Sequence, residues 1–371
     1  MKLCHIADSH LGAGENHPRR GESGLTLRQE DIVNAFCEAI DKIIAIKSDL
    51  CMHAGDLFHR VRPINRIMAI AAEQLHRLAE VNSIPTIIIS GNHDAPKQPH
   101  IGAAIEVFRQ IDNLHVVASG RLEIVRVGEV VGHALPHCLT VAAQQEQLTR
   151  IAPDPEARFN VLVAHGVAAG MPEFSMADLG EQEFPLELLD RFDYAALGHF
   201  HDFSRVSRRA YYAGSTERLS QAEREANKGF AVVEFDPLAV RFEPVSCRRM
   251  VDAPVIDAVG MRGDQLLQIL THTVERIDTS DKIVRVSVAG VSEETLKTIP
   301  AAQIAALKQK SFALDIRLEK EKSDETSESF GRSSIGRIDA AFIEFLDIVD
   351  LQGFDRDRLK REALKYLAVE E

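Results

Sequence analysis

Five short apolar segments in the first 201 residues each end in residues that can bind a metal. These residues are Asp8 with His10, Asp56 with His59, Asn92 with His93, His165 alone, and His199 with His201. Ligands of open α/β sheets bind beyond the carboxyl ends of the strands, so we expect these side chains to meet at one place. Imidazole, carboxylate and amide groups suit Mn, Fe or Zn. So many donors can hold two ions about 3.5–4 Å apart, an arrangement that clamps a phosphate during hydrolysis.

Each cluster taken alone has a simpler interpretation. Asp8 with His10 is a common polar pair at a strand end, Gly-Asn-His-Asp at 91–94 has the composition of a turn, and His165 could be a core histidine. Short motifs also match by chance. The metal-site prediction therefore depends on all five clusters occurring in this order, each behind an apolar run. Glycines at 55, 91, 166 and 198 fit sharp exits from the strands.

The segments around these clusters predict a layered α/β domain. The five apolar runs predict strands, and amphipathic segments between them predict helices at 30–47 and 64–81, the second with apolar residues at helical spacing. Strands that alternate with helices favour an α/β architecture. Two further β-type runs, at 229–235 and 239–245, are expected to return to the sheet and to complete a domain of residues 1–240.

The sequence pattern changes after residue 250. A helix at 264–277, a strand at 283–289, a helix at 301–310 and a strand at 312–318 predict a small α/β domain at 250–318. Residues 319–334 are rich in charge and Ser, which predicts a linker. Residues 335–371 predict two short amphipathic helices, which could fold back on the parent domain or dock on another protein.

Composition excludes some classes of protein. The chain has 371 residues, with 43 Lys and Arg against 56 Asp and Glu, a net charge of −13. This balance excludes a DNA-binding protein that is basic all over, but not a local basic groove or bound metal cations. The five cysteines form no CxxC pair, which argues against a zinc knuckle and favours reduced cytoplasmic thiols. The polar N-terminal segment predicts no signal peptide, and no apolar run of about 18 residues predicts a membrane span.

Taken together, the five blocks resemble the signature of the calcineurin-like metallophosphoesterases: D-x-H, GD-x-x-[DH], GNH-[DE], a lone His, and GH-x-H. Within that superfamily the chain is most similar to the SbcD-type nuclease subunits of DNA double-strand-break repair complexes. The narrower resemblance depends on His59, which ends GDLFH, and on the segment YAGSTER at 212–218, where Ala213 replaces the usual Pro. The resemblance implies a four-layer α/β/β/α sandwich with a small α/β capping domain and a helical C-terminal tail.

The resemblance also implies a role for each site residue. One metal ion is bound by Asp8, His10, Asp56 and His201, and the other by Asp56, Asn92, His165 and His199, with Asp56 between them. Both ions are expected to be Mn²⁺. His93 stabilises the transition state or protonates the leaving 3′ oxygen, and His59 positions the DNA strand. Asp94 either holds a histidine ring or caps its turn.

Contacts to partners are predicted from positions near these motifs. Arg60, Arg62 and Arg218 could contact DNA phosphates without reading sequence, although such arginines are often part of a solvated loop. The resemblance implies that an SbcC-type coiled-coil ATPase is bound by tail residues around Phe342, Phe345 and Leu359 and gates DNA access by ATP. Nuclease subunits of this group commonly form homodimers.

The sequence thus predicts a Mn²⁺-dependent DNA nuclease of repair and recombination, with 3′–5′ exonuclease and endonuclease activity. One alternative is a small-molecule phosphodiesterase or phosphatase with the same site, although such an enzyme needs neither a linker nor docking helices. A second alternative is a scaffold that tethers DNA ends without cutting. That scaffold should lack metal ligands, whereas every ligand position of the motifs is filled here.

Overall fold

The computed structural model describes residues 1–98, 100–170, 182–320, 356 and 358–360. Its helices are α1 (Leu27–Ile46), α2 (Asn65–His76), α3 (Val141–Leu148), α4 (Leu186–Leu189), α5 (Gly263–Ile277), α6 (Glu293–Thr298) and α7 (Ala301–Lys310). Its strands in the first half of the chain are β1 (Lys2–Ile6), β2 (Leu50–His53), β3 (Thr86–Ile89), β4 (Leu114–Val117), β5 (Glu123–Val127), β6 (Val130–Leu135), β7 (Phe159–His165), β8 (Val167–Ala168) and β9 (Glu183–Phe184). The later strands are β10 (Tyr194–Gly198), β11 (Ser204–Arg205), β12 (Ala210–Tyr212), β13 (Gly229–Glu234), β14 (Ala239–Pro244), β15 (Met250–Asp252), β16 (Ile256–Asp257), β17 (Ile283–Val291) and β18 (Ala313–Lys320).

Two six-stranded sheets form the larger domain. The first has the order β14-β13-β1-β2-β3-β4 and the second has the order β11-β12-β10-β7-β6-β5. Strands β1 to β4 are parallel, and β13 joins them antiparallel to β1, with Lys2 opposite Glu234. In the second sheet, β12, β10, β7 and β6 are also parallel. Parallel strands are normally covered on both faces, and both sheets here are.

Alternating side chains of the two sheets build separate cores on their two faces. Leu3, Met52 and Ile87 of the first sheet pack against Val161 and Ala196 of the second in a core between the sheets. The outer face of the first sheet packs with α1 and α2, and α4 belongs to the core on the outer face of the second. The result is an α/β/β/α sandwich, so the predicted fold class is confirmed.

Local signals explain where the first helices begin and end. Thr26 caps α1, since its hydroxyl accepts a hydrogen bond from Gln29 N–H while the Gln29 side chain accepts from Thr26 N–H. This capping box starts the helix at Leu27, three residues before the predicted start. The predicted helix 64–81 is divided, because regular α-helix ends at His76 and a single π-helical segment, Arg77–Val81, continues it.

The smaller domain has its own core. Strand β17 pairs with β15 and β16 on one side and with β18 on the other, and the buried residues of α5, Leu266 and Leu270, pack against Val284 and Val286 of β17. The predicted elements of this region are all present, and α7 has the predicted bounds. Strand β18 extends to Lys320, two residues into the predicted linker at 319–334.

Phe312 connects the two domains. The residue is 4% exposed, and the Arg248 guanidinium lies 3.6 Å from its ring centroid. The Phe312 carbonyl accepts a 2.8 Å hydrogen bond from His17 Nε2 and a 3.0 Å bond from Arg19. A second contact joins Asp252 of β15 to Gln221, at 2.9 Å, and to Arg224, at 3.0 Å.

The predicted tail is only partly visible. Phe342 and Phe345 lie outside the described residues, and Leu359 belongs to the short described helical stretch 358–360, where it is 36% exposed. Within the described ranges, no helix combines the length and the apolar character that crossing a membrane requires.

Candidate metal centre

The five predicted clusters follow five strands that belong to two different sheets. Strands β1, β2 and β3 carry the first three clusters, and β7 and β10 of the other sheet carry the last two. The expectation that the five strand ends meet at one place is met by strands of both sheets rather than of one. The two sheets meet at this edge, where Asp8 accepts hydrogen bonds from His199 N–H at 3.0 Å and Ala54 O lies 2.9 Å from His165 Nδ1.

The seven predicted ligands converge on this edge. His10 Nε2 lies 3.1 Å from His201 Nε2, and with Asp8 they form a group whose ligand atoms lie within 4.8 Å of one another. Asp8, Asp56 and His165 form a second such group.

Asn92 joins His199 to the second group, and Asp56 of that group also faces the first. Asn92 Oδ1 is 2.8 Å from His165 Nε2 and 3.2 Å from His199 Nδ1. Asp56 Oδ2 is 3.6 Å from His10 Nε2 and 3.5 Å from His165 Nε2. Asp56 therefore occupies the position between the groups that a bridging ligand needs.

The two predicted catalytic histidines stand beside these groups. The His59 and His93 rings stack with centroids 5.2 Å apart, and His59 Nδ1 is 3.3 Å from His10 Nδ1. His93 N–H donates to Asp56 Oδ1 at 2.8 Å, and His93 Nδ1 lies 3.1 Å from the His59 carbonyl oxygen. Three of the five strand-end segments are thus joined directly through His10, Asp56 and His93.

Unusual backbone conformations direct the ligands inwards. Asp8, His10, Asp56 and His199 all have positive φ angles, of 50°, 43°, 53° and 109°. Such angles are strained for residues with a side chain, by about 1–3 kcal/mol each, and they cluster at functional sites. Gly91 serves close approach rather than a sharp turn, because a Cβ there would lie 2.2 Å from Asp56 Oδ1.

Burial and charge shift the titration of the ligands. Burial raises the pKa of Asp8 to about 6. Burial also opposes ionisation of Asp56, but the charge and hydrogen bond of His165 outweigh it and keep the pKa of Asp56 below its usual range. Burial and the neighbouring His165 lower the pKa of His199 to about 3, and burial lowers the pKa of His10.

The donor set fits divalent cations. Asp8 and Asp56 are at most 1% exposed, and buried carboxylates are costly unless a positive charge accompanies them. The imidazoles of His10 and His199 are neutral at pH 7 and so offer lone pairs. Oxygen and neutral nitrogen donors in this mixture suit borderline divalent ions.

Asp94 has the environment of one of its two predicted roles. Its carboxylate accepts hydrogen bonds from Gly91 N–H at 2.7 Å and Phe58 N–H at 3.2 Å, and so joins two of the ligand-bearing loops. Burial, followed by the charge of Asp56, raises its pKa to about 8. The expectation that it holds a histidine ring was wrong, and the turn-capping alternative describes it.

The three predicted DNA-contacting arginines lie in unlike environments. Arg60 and Arg62 are exposed just after His59, and Arg60 pairs with Glu15. Arg218 is half-buried, and its guanidinium donates to the carbonyls of Arg248 at 3.1 Å and Ala226 at 2.8 Å. These backbone contacts give Arg218 a structural task that the exposed pair does not have.

Sequence reasoning missed two charged residues behind His201. Glu223 Oε1 lies 3.3 Å from His201 Nδ1, and Lys228 Nζ pairs with Glu223 Oε2 at 2.6 Å. Both residues lie in an irregular segment between β12 and β13, where no periodicity draws attention to them. The sequence signal available for them was weak: an acidic and a basic residue lie in the segment that follows the last ligand cluster and so passes close to the site.

This combination of two stacked sheets and three overlapping groups of potential ligands at their common edge, the third formed by His10, His59 and His93, is that of a metal-dependent phosphoesterase. The chain belongs to the calcineurin-like phosphoesterase family, whose model matches residues 1–203. That match confirms the resemblance drawn from the five motifs, and this family implies divalent metal ions.

Several relatives are DNA repair proteins. The chain is 26% identical to the DNA double-strand break repair protein Mre11 of Methanopyrus kandleri, in an alignment that covers 94% of this chain and 80% of the relative. It is 26% identical to Mre11 of Sulfurisphaera tokodaii over 295 residues, which cover 76% and 70% of the two chains. Mre11 of Methanocaldococcus jannaschii is 28% identical over 276 residues, 69% of this chain and 70% of the relative.

Proposed function

We propose that this protein is a Mn²⁺-dependent nuclease that processes DNA ends in double-strand-break repair, with 3′–5′ exonuclease and endonuclease activity. The observation that carries the proposal is the meeting of two metal-ligand groups with His59 and His93 at one edge of the sandwich. The similarity to DNA double-strand break repair proteins supports DNA as the substrate.

In this proposal the seven ligands bind two ions. Asp8, His10, Asp56 and His201 bind one, and Asp56, Asn92, His165 and His199 bind the other. The ions supply charge neutralisation for the phosphodiester and an activated water. The protein contributes the fixed positions of the donors, which the positive-φ backbone of Asp8, His10 and Asp56 imposes.

His93 is the general acid of the proposal. Its main-chain N–H donates to Asp56 and its Nδ1–H donates to the His59 carbonyl, so the ring is fixed. In its imidazolium form the ring would pass the Nε2 proton to the leaving 3′ oxygen and become neutral. His59, stacked on the same ring, would position the DNA strand. The exposed Arg60 and Arg62 follow His59 and would contact phosphates on either side of the cut.

The proposal includes partners. A net charge of −13 leaves DNA binding to the metal ions, to the local arginines and to other subunits. We propose an SbcC-type coiled-coil ATPase as the main partner, bound by the tail around Phe342, Phe345 and Leu359, and a homodimer of this chain. DNA ends and single strands are the proposed substrates of that assembly.

The decisive experiment measures Mn²⁺-dependent nucleotide release from a linear duplex labelled at its 3′ end. Replacing the acid in His93→Ala should lower the rate by about 10²–10⁴-fold, while His272→Ala, an exposed histidine of the smaller domain, should cut like wild type. Hydrolysis of a small phosphodiester without DNA cleavage would refute the nuclease and favour the small-molecule phosphodiesterase. DNA binding with neither activity would favour the tethering scaffold.

A further inference from the structure

A charged pair lies behind one of the proposed metal ligands. Between β12 and β13 the chain passes close to His201 and includes a short 3₁₀ helix, Gln221–Glu223, followed by Lys228. The Lys228 side chain is fully buried and that of Glu223 is 12% exposed. Neither residue is a predicted ligand, and burying two charges is costly unless both are fully paired.

The pair contacts both the ring and the backbone of His201. Glu223 Oε1 lies 3.3 Å from His201 Nδ1, and Lys228 Nζ donates to the His201 carbonyl at 2.8 Å. Glu223 Oε2 and Lys228 Nζ are 2.6 Å apart, which closes a triangle. His201 therefore has its main chain and its side chain restrained by the same two residues.

Glu223 is itself held in place from several sides. Its carboxylate also accepts hydrogen bonds from Leu219 N–H at 3.2 Å and from the Ser220 hydroxyl at 3.1 Å. The Lys228 ammonium completes its three hydrogen bonds with Asp202 Oδ1 at 3.3 Å. Because every donor and acceptor of the pair has a partner, the carboxylate has little freedom to move away from His201.

This geometry selects one form of the His201 ring. An ionised carboxylate can only accept a hydrogen bond, so Nδ1 of His201 carries the hydrogen. The lone pair of the neutral ring is then on Nε2, which lies 3.1 Å from His10 Nε2 in the group formed with Asp8. Carboxylates that orient metal-binding histidines in this way typically change metal affinity 10–100-fold when they are removed.

We propose that Glu223, supported by Lys228, is a positioning residue that sets the orientation and tautomer of His201 for metal binding. The inference depends on the metal site of the proposed function, but not on DNA as the substrate. It also gives the buried ion pair of Glu223 and Lys228 a function. Stability alone does not require such a pair, because apolar side chains of similar size can often replace it at little cost.

The test is the titration of metal-free protein with Mn²⁺ in a calorimeter. Glu223→Gln keeps the volume and removes the charge, and we expect one of two binding events to weaken by about 10–100-fold. Glu225→Gln is the matched control, because Glu225 is an 88% exposed carboxylate in the same segment, and it should bind as wild type does. The double variant Glu223→Leu/Lys228→Met leaves no unpaired buried charge, so it covers the case in which Glu223→Gln does not fold.

A second readout does not involve metal. Nitrogen-15 spectra of histidine-labelled, metal-free protein, recorded at a pH where the His201 ring is neutral, should show its Nδ1–H tautomer. The signal is identified by its loss in His201→Ala, and the double variant should show an altered tautomer. Folded variants that bind Mn²⁺ with wild-type affinity would overturn the inference. Weakened binding in the variants together with a wild type that cuts no DNA would keep it and refute the nuclease instead.

Discussion

At the scale of single side chains, Asp56 is the residue on which the site depends most. One of its oxygens faces His10 and His165 from between the two groups, and the other accepts the main-chain N–H of His93. The two proposed ions and the proposed general acid therefore share one carboxylate. Its motif, GDLFH, made Asp56 a candidate from sequence, but its link to the His93 backbone depends on how two loops pack.

Replacing this carboxylate by an amide should affect both ions. In Asp56→Asn the negative charge between the groups is lost while the shape is retained, so we expect Mn²⁺ affinity to fall at least tenfold at both sites. Calorimetric titration measures the effect. Asp41→Asn, an exposed acidic residue in α1, is the control. Loss of only one binding event would contradict the bridging position.

A buried histidine away from the metal site should make stability depend on pH. His5 lies between the sheets, with Nδ1 2.9 Å from Tyr194 Oη and Nε2 3.1 Å from the Leu197 carbonyl, and burial lowers its pKa to about 3. The unfolded chain binds a proton at this residue below about pH 6.5 and the folded chain does not. Stability is therefore lost as the pH falls from about 6.5 towards 3, by up to about 1.4 kcal/mol per pH unit.

The variant His5→Gln has no titrating group at this position and should lose less stability over the same range. Urea unfolding at several pH values between 4 and 7 measures the difference between the two proteins. Parallel curves for wild type and variant would show that His5 does not titrate differently in the folded and unfolded states.

At the scale of elements, the strands and helices were largely predictable from local patterns, whereas their assembly was predicted only through the family resemblance. The apolar runs that became β1, β2, β3, β7 and β10 are local patterns, and the helices follow local periodicity and caps. Whether two runs share a sheet depends on contacts between distant residues, so local patterns did not assign the five strands to the two sheets that the resemblance implied. The 3₁₀ helix that carries Glu223 has no periodicity and was missed for that reason.

The close contact of two ligand loops predicts a strong effect of one methyl group. In Gly91→Ala the new Cβ would lie 2.2 Å from Asp56 Oδ1, so the loops must separate. We expect Mn²⁺ affinity and cleavage to fall by about tenfold or more, by the cost of displacing a ligand. Gly128→Ala is the control, because nothing lies within 4 Å of its Cβ, and it should change stability without changing metal affinity. Wild-type Mn²⁺ affinity in Gly91→Ala would contradict the prediction, because it would show that the two loops move apart without displacing Asp56.

At the scale of the whole molecule, two domains with separate cores meet through few residues. Phe312 of the smaller domain packs under Arg248, and its carbonyl accepts from His17 and Arg19 of the loop that follows β1. That loop continues from the ligands Asp8 and His10. The smaller domain is therefore docked against the segment that leads away from the metal centre.

Removing this ring should uncouple the domains. Phe→Ala substitutions at buried sites lower the free energy of unfolding by about 3–5 kcal/mol. In Phe312→Ala the lost contacts are those between the two domains. We expect one cooperative urea transition in wild type to become two. Leu318→Ala, at an exposed residue of β18, should leave the single transition unchanged. A single transition in Phe312→Ala would mean that the contacts left in place hold the domains together, namely the main-chain bonds from His17 and Arg19 and the contacts of Asp252.

The pairing of β1 with β13 has a consequence for biosynthesis. Because Lys2 lies opposite Glu234, β1 leaves the ribosome long before β13, the strand that pairs with its second edge. At about 5–20 residues per second, β1 waits roughly 10–50 s with one edge unpaired. His10 can contact His201 only after a similar delay. The candidate metal centre therefore cannot form before residue 201 has been synthesised, and during that interval the unpaired edge of β1 is open to pairing with other chains.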